Sequence, residues 1–217
     1  VGALGQAEAD VFEACMDACV VIEEDDSGGL FIEVPVYRAR RAITPGGGSG
    51  QGFERSLNRL VEAWVELDVA RFGLPVGEIL SGTLFERWEE TGEGARRSFG
   101  NPDPRQRRRV IRIWLGSVTL GAYKYTDLPQ YRAPRLFHGL GGESKAVARY
   151  LMTHNAAKQP NGGWKLDTLL WVVGVDVASR QARNEARRRV RRDKVALGRL
   201  GIVLDQKNRV FLRPRSP

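Results

Sequence analysis

The sequence predicts an α+β fold built from two similar units in tandem, and three observations carry that reading. The chain has 217 residues, room for two small domains of about 100 residues each. Its hydrophobic fraction of 42% and charged fraction of 28% are those of an ordinary globular protein. The order helix, strand, helix, helix, hairpin can be traced in the first part and, more loosely, again in the second. That order is the one found in winged helix-turn-helix domains. The boundary is placed at residue 130, giving units 1–130 and 131–217.

In the first unit a helix is expected over Gln6–Ile22, followed by a polar turn through Gly29 and a short strand over Leu30–Val34. Pro35 suits the first turn of a second helix reaching Ile43, where its missing N–H costs nothing. The stretch Thr44–Gly52 is a flexible glycine-rich connection; it lacks the Lys-Ser/Thr of a phosphate-binding loop. A third helix is expected over Phe53–Leu67, with Leu57, Leu60, Val61 and Trp64 inward and Arg55, Asn58, Arg59 and Glu62 outward. Strand-like runs over Val76–Trp88 and Val110–Tyr125 flank a polar tip, Glu89–Arg109, with Arg105, Arg107, Arg108 and Arg109 at its base.

In the second unit Pro129–Pro134 is an extended junction. Glu143–Asn155 is expected to be helical, with Ala146, Val147, Tyr150 and Leu151 as its core face. A turn over Ala156–Gly163 precedes a short helix, Lys165–Val173, which stops at Gly174, a left-handed cap. Ser179 caps an unbroken helix that runs to Gly201. At about 100° per residue, Ala182, Ala186, Val190, Leu197 and Leu200 form its apolar stripe. Arg180, Gln181, Asn184, Arg187, Arg188, Arg191, Arg192 and Arg199 lie opposite. A hairpin of Ile202–Leu204 and Arg209–Leu212 follows.

Charge sharpens the functional reading. Residues 1–130 carry 15 Lys and Arg against 20 Asp and Glu, while residues 131–217 carry 19 against 6. A basic charge concentrated on an amphipathic helix favours a polyanion partner over a merely solvated surface. Guanidinium forks and side-chain amides are the groups that pair with phosphates and with guanine and adenine edges in the major groove. Arg187, Arg188, Arg191 and Arg192 are therefore expected to hold phosphate or guanine, with Asn184 and Gln181 as candidates for adenine. Arg183 flanks that face, and Arg180 and Lys194 complete the expected DNA contacts. Lys207, Asn208 and Arg209 are placed to reach a phosphate or minor groove, although a plain solvated turn fits them almost as well. Arg55, Asn58 and Arg59 offer a second DNA surface in the first unit, but the same helix carries Glu54, Glu62 and Glu66, so a plain solvated face fits equally well and protein–protein contact is a competing role.

Catalysis finds little support. His138 and His154 are the only histidines, and neither is spaced for metal binding. That argues against a metal-dependent tyrosine nuclease despite Tyr123, Tyr125 and Tyr131. No nucleophile elbow is present. Cys15 and Cys19 share one face of the first helix and read as buried thiols of a reducing cytosol, since no further ligands complete a zinc site. The five tryptophans read as packing residues. No membrane span or signal segment is seen, and the chain opens on Val1 rather than Met, so residues preceding it are compatible with the sequence. No enzyme activity, cofactor or metal is expected.

Three stretches resemble the Rep-type plasmid replication initiators, including TrfA-like proteins. They are Arg135-Leu136 with Ser144–Leu151, then Leu166–Gly174, and then Ala196–Ile202 at the close of the arginine helix. The similarity spans roughly residues 130–213 and rests on element order before that. It implies double-stranded DNA as partner, at repeated origin sites (iterons), with the second domain reading the major groove. It also implies a first domain that mediates dimerisation in a monomer–dimer equilibrium, contact with host replication proteins, and a bacterial cytoplasmic setting. A winged-helix transcriptional regulator is the alternative on the same scaffold, and an RNA-associated basic protein is a third reading.

Overall fold

The computed structural model describes residues 4–46, 48–68, 79–91, 109–124, 134–152, 154 and 156–213. The fold is mixed α+β, and the chain divides into two compact units, Val1–Arg135 and Leu136–Pro217. The expected junction at 129–133, most of the polar tip (92–108) with Arg105, Arg107 and Arg108, and Tyr125 and Tyr131 lie outside the described residues.

The first unit opens with α1, Gln6–Ala18, whose first turn is closed by the Glu8 carboxylate accepting the Gly5 N–H at 2.8 Å. The helix stops four residues short of the expected Ile22. Val21–Glu24 instead forms β1, paired antiparallel with β2, Leu30–Pro35. The β-branched run Val20-Val21-Ile22 favours that choice, and the turn behind it is fixed by Asp25, whose Oδ1 accepts the N–H groups of Ser27 and Gly29 at 2.9 Å. Pro35 precedes α2, Val36–Ile43, as its cap residue.

Helix α3 runs over Gly50–Glu62, capped by Ser49. Leu57 and Leu60 are buried as expected, but Trp64 is not. It lies beyond the helix on β3, Trp64–Asp68, and is 64% exposed. β3 pairs with β4, Ile79–Thr83, leaving β5 as a separate strand over Phe85–Thr91. The second expected strand also divides. β6 covers Val110–Leu115 and α4 covers Ser117–Lys124. Gly116 sits at the break because a side chain there would meet the Thr83 carbonyl oxygen at 2.2 Å. All neighbours in the four-stranded sheet β1-β2-β6-β5 are antiparallel. Ile32, Val34, Ile111, Ile113 and Phe85 from this sheet share a core with Phe12, Cys15, Ala39, Leu57 and Leu60.

In the second unit α5 covers Gly142–Met152, α6 Leu166–Val172, α7 Arg180–Arg192 and α8 Lys194–Arg199. The expected unbroken helix to Gly201 is thus two helices. Its break is at Asp193, 8% exposed, whose carboxylate accepts the Gly141 N–H at 2.7 Å. A two-residue strand that sequence patterning did not show, β7 (Trp164–Lys165), joins β8 (Ile202–Leu204) and β9 (Arg209–Leu212) in the order β7-β9-β8. Leu151, Leu166, Leu169, Leu170, Val190 and Val210 are central to one core.

The two units share a connectivity. In the first, α1, β2, α2, α3, β5 and β6 follow in sequence, with β2 beside β6. In the second, α5, β7, α6, α7, β8 and β9 do so, with β7 beside β9. β1, the β3–β4 pair and α4 are additions peculiar to the first unit, and α8 is one peculiar to the second. Among the described residues no helix is long and apolar enough to cross a membrane.

Candidate nucleic-acid interface

Local chemistry sets α7 in place. Gly174 takes the left-handed conformation (φ 77°) and ends α6, with the Val175 N–H donating to the Leu170 carbonyl at 2.9 Å. Ser179 Oγ then accepts the Ala182 N–H at 3.0 Å and starts α7. Ala186 and Val190 are buried, which turns the opposite side outward.

The arginines of α7 divide into two sets. Arg183 donates from Nε and Nη2 to the Val177 carbonyl, both at 3.1 Å, and so braces the turn before the helix. Arg187 makes a two-point pair with Asp167 of α6, its Nε donating to Oδ1 at 2.7 Å. That pairing holds the Asp167 carboxyl below the usual carboxylate range. Arg189 is taken by Glu143 of α5 and by Glu185, and it holds the Glu185 carboxyl low in turn. Arg183 and Arg187, expected at the DNA surface, are thus committed to internal contacts, the first to the turn before α7 and the second to α6.

The second set faces solvent. Arg180, Gln181, Asn184 and Arg188 are exposed, and among the described residues their side chains make no hydrogen bond. Gln181, Asn184 and Arg188 follow the i, i+3, i+7 spacing of one face. Arg192 is exposed beside Asp193, 3.8 Å away. Arg191 is exposed but donates from Nε and Nη2 to Asn208 Oδ1, at 3.1 and 2.7 Å. Lys194 is exposed on α8, so helical counting along α7 does not place it. In the hairpin turn Lys207 is exposed, whereas Arg209 is half-buried and points Nη1 at the Gly163 carbonyl, 3.4 Å away.

Sequence reasoning passed over Asp167. Its only signal is an acid in the first turn of a helix, which a helix dipole explains equally well. Asn208, expected to reach DNA or to lie in a plain solvated turn, is instead the partner of Arg191.

The first unit presents a different surface. Arg59 pairs with buried Glu8 at 3.0 Å, and Asn58 Oδ1 accepts the Trp88 indole N–H at 2.9 Å. Glu54 pairs with Arg109, which also pairs with Glu90. Arg55 alone of the three candidates is exposed with no side-chain hydrogen bond among the described residues. Those three residues do not form one open basic face.

Of the histidines, His154 lies against Tyr150 and Trp164, with Nδ1 2.9 Å from the Tyr150 carbonyl oxygen. Among the described residues no three His, Cys, Asp or Glu side chains converge on a metal position. Cys15 is fully buried, which pushes its thiol far above the ordinary range and leaves it a poor nucleophile. The uncommitted side chains of α7 can offer hydrogen bonds and positive charge. No protein-family model matches the chain, and it has no significant match among curated proteins or solved structures.

Proposed function

We propose that both units are winged helix-turn-helix modules and that the second binds double-stranded DNA, with α7 in the major groove and the β8–β9 hairpin as its wing. The observation that carries this reading is the division of the α7 side chains. Its one acid, Glu185, and four of its arginines (Arg183, Arg187, Arg189 and Arg191) are used up in internal contacts, while Gln181, Asn184 and Arg188 stay together on one open face. Amides and a guanidinium at that spacing match the donors and acceptors of adjacent base pairs and phosphates. The shared connectivity supports the tandem assignment, because in each unit the strand before the helix pair lies beside the last strand, as in the winged-helix sheet order.

Within that role we assign the chain to replication initiation at repeated origin sites, without chemistry of its own, on the strength of the three sequence stretches that resemble Rep-type initiators. Such a protein works by gripping and bending its repeats and recruiting host replication proteins. The test is selection of bound sequences from a pool of random duplexes, followed by anisotropy titrations over a range of salt. Arg188→Ala is expected to lower the salt slope by about one for its lost phosphate contact, or to relax one position if it reads guanine. Asn184→Ala is expected to relax preference at one base pair. Direct repeats of the selected site beside the gene support an initiator, whereas a single palindrome identifies a regulator. Duplex affinity unchanged in both variants removes α7 from the interface.

A further inference from the structure

The turn between β8 and β9 contains a residue with three structural duties. Asn208 is the one non-glycine residue with a left-handed backbone among the described residues (φ 58°). Asparagine tolerates that conformation better than other side-chain-bearing residues. The turn around it is closed by Asp205, whose N–H donates to the Arg209 carbonyl at 2.9 Å and whose Oδ1 accepts the Arg209 N–H at 2.7 Å. The Asn208 carbonyl accepts the Leu166 N–H at 3.0 Å, at the first residue of α6. Its side-chain oxygen accepts both the Nε and Nη2 groups of Arg191 on α7. Arginine carries only donors, so the amide oxygen must face it.

One residue therefore joins the turn to both helices of the proposed helix-turn-helix. We propose that Asn208 is a positioning residue: with Arg191 it latches the wing to the reading helix before DNA arrives, so that Lys207 meets the phosphate backbone at a fixed distance from α7. This inference rests on the DNA-binding role proposed above. It also reassigns Arg191. Two of its donor edges serve the latch, and only Nη1 makes no hydrogen bond among the described residues. Glycine would satisfy the backbone conformation as well as asparagine, but it would leave Arg191 unpaired and the wing untethered on that side.

Two variants test the latch. Asn208→Gly keeps the left-handed turn and the carbonyl to Leu166 while deleting the acceptor, and Arg191→Met deletes the donors from a helix-compatible side chain. In the free protein both are expected to speed amide exchange across residues 205–209 relative to the wild-type chain. On selected duplex, Asn208→Gly is expected to weaken binding about tenfold and to lower the salt slope by about one, the share of Lys207. Lys207→Ala lowers the slope similarly in the wild-type background and leaves it unchanged when added to Asn208→Gly. A Lys207→Ala effect of equal size in both backgrounds overturns the latch, because the wing is then placed without Asn208. Absence of salt-dependent duplex binding by the wild-type chain refutes the DNA reading instead. In that case the exchange measurement still decides the latch, and unchanged exchange in both variants overturns it.

Discussion

The Asp167–Arg187 pair fixes α6 against α7, and its removal has a calculable consequence. The pair is two-pronged and charge-assisted, and such bonds are worth about twice a neutral hydrogen bond of ~1 kcal/mol. Water still reaches it: the side chains of Arg187 and Asp167 are 29% and 31% exposed. Screening and the ordering of a long arginine therefore reduce the coupling to about 1 kcal/mol, near the upper end for surface pairs. Asp167 also sits in the first turn of α6, where its charge adds about 0.5 kcal/mol through the helix N-terminus. Asp167→Ala alone is then expected to cost about 1.5 kcal/mol, of which only the coupling vanishes in an Arg187→Met background. Because the chain has two units, a single melting transition is not the right measure. Exchange of the slowest amides of α6 and α7 reports the opening free energy of this unit directly.

The same pair sets a pH dependence whose sign is fixed. The carboxyl of Asp167 is held below its unfolded value, chiefly by the Arg187 hydrogen bond. Its contribution is complete above the unfolded value of about 3.9 and is lost as pH falls through the lower folded value. Below about pH 4 the wild-type unit should therefore lose stability more steeply than Asp167→Ala. A coupling under about 0.3 kcal/mol, the margin within which independent sites add, or identical acid limbs for the two proteins, would mean that the Asp167–Arg187 pair does not hold α6 against α7.

Other consequences concern helix starts and tight approaches. Ser179→Ala removes the Oγ acceptor for the Ala182 N–H and should cost about 1 kcal/mol, while Ser179→Asp should preserve the cap; equal exchange protection in the alanine variant and wild type excludes a capping role. Gly82→Ala is expected to destabilise the β4–α4 contact by about 2 kcal/mol, since the backbone has φ +142° and the new methyl would lie 1.8 Å from Ser117 Oγ. Adding Ser117→Gly should recover the steric part and leave the backbone strain, and a loss of protection in α4 unaltered by that second change would assign the whole cost to strain.

What the sequence could announce was local. The Ser179 cap, the Gly174 stop, the burial of Ala186 and Val190 and the β8–β9 hairpin all depend on residues within a few positions of one another. The missed features depend on distant partners. β7 is two residues long and exists because Trp164 and Lys165 pair with Val210 and Arg209. The break at Asp193 is fixed by Gly141, far back in the chain, and helical periodicity runs through an aspartate without registering it. β3 and β4 read as a helix end and as part of a longer strand, because either segment is a strand only in the presence of the other. The candidate surface shows the same limit. Periodicity told which arginines leave the core, but not that Asp167 captures Arg187 or that Asn208 captures Arg191.

That distinction between exposed and uncommitted charge separates the two helices occupying the same place in the shared connectivity. α3 carries Arg55, Asn58 and Arg59, yet Glu8 takes Arg59, Trp88 takes Asn58, Arg109 takes Glu54, and Glu62 shares the helix. A phosphate approaching α3 would have to break these pairs or tolerate the nearby acids, and each displaced bond subtracts from what the new contact gains. On α7 the acid Glu185 is already bound by Arg189, so a phosphate near Arg188 displaces only water. Arg55→Ala should accordingly change the salt slope of duplex binding by much less than the decrement of about one expected for Arg188→Ala at a phosphate. Equal decrements from the two substitutions would mean that α3 reads DNA on the same terms as α7, and that its internal pairs open when the duplex binds.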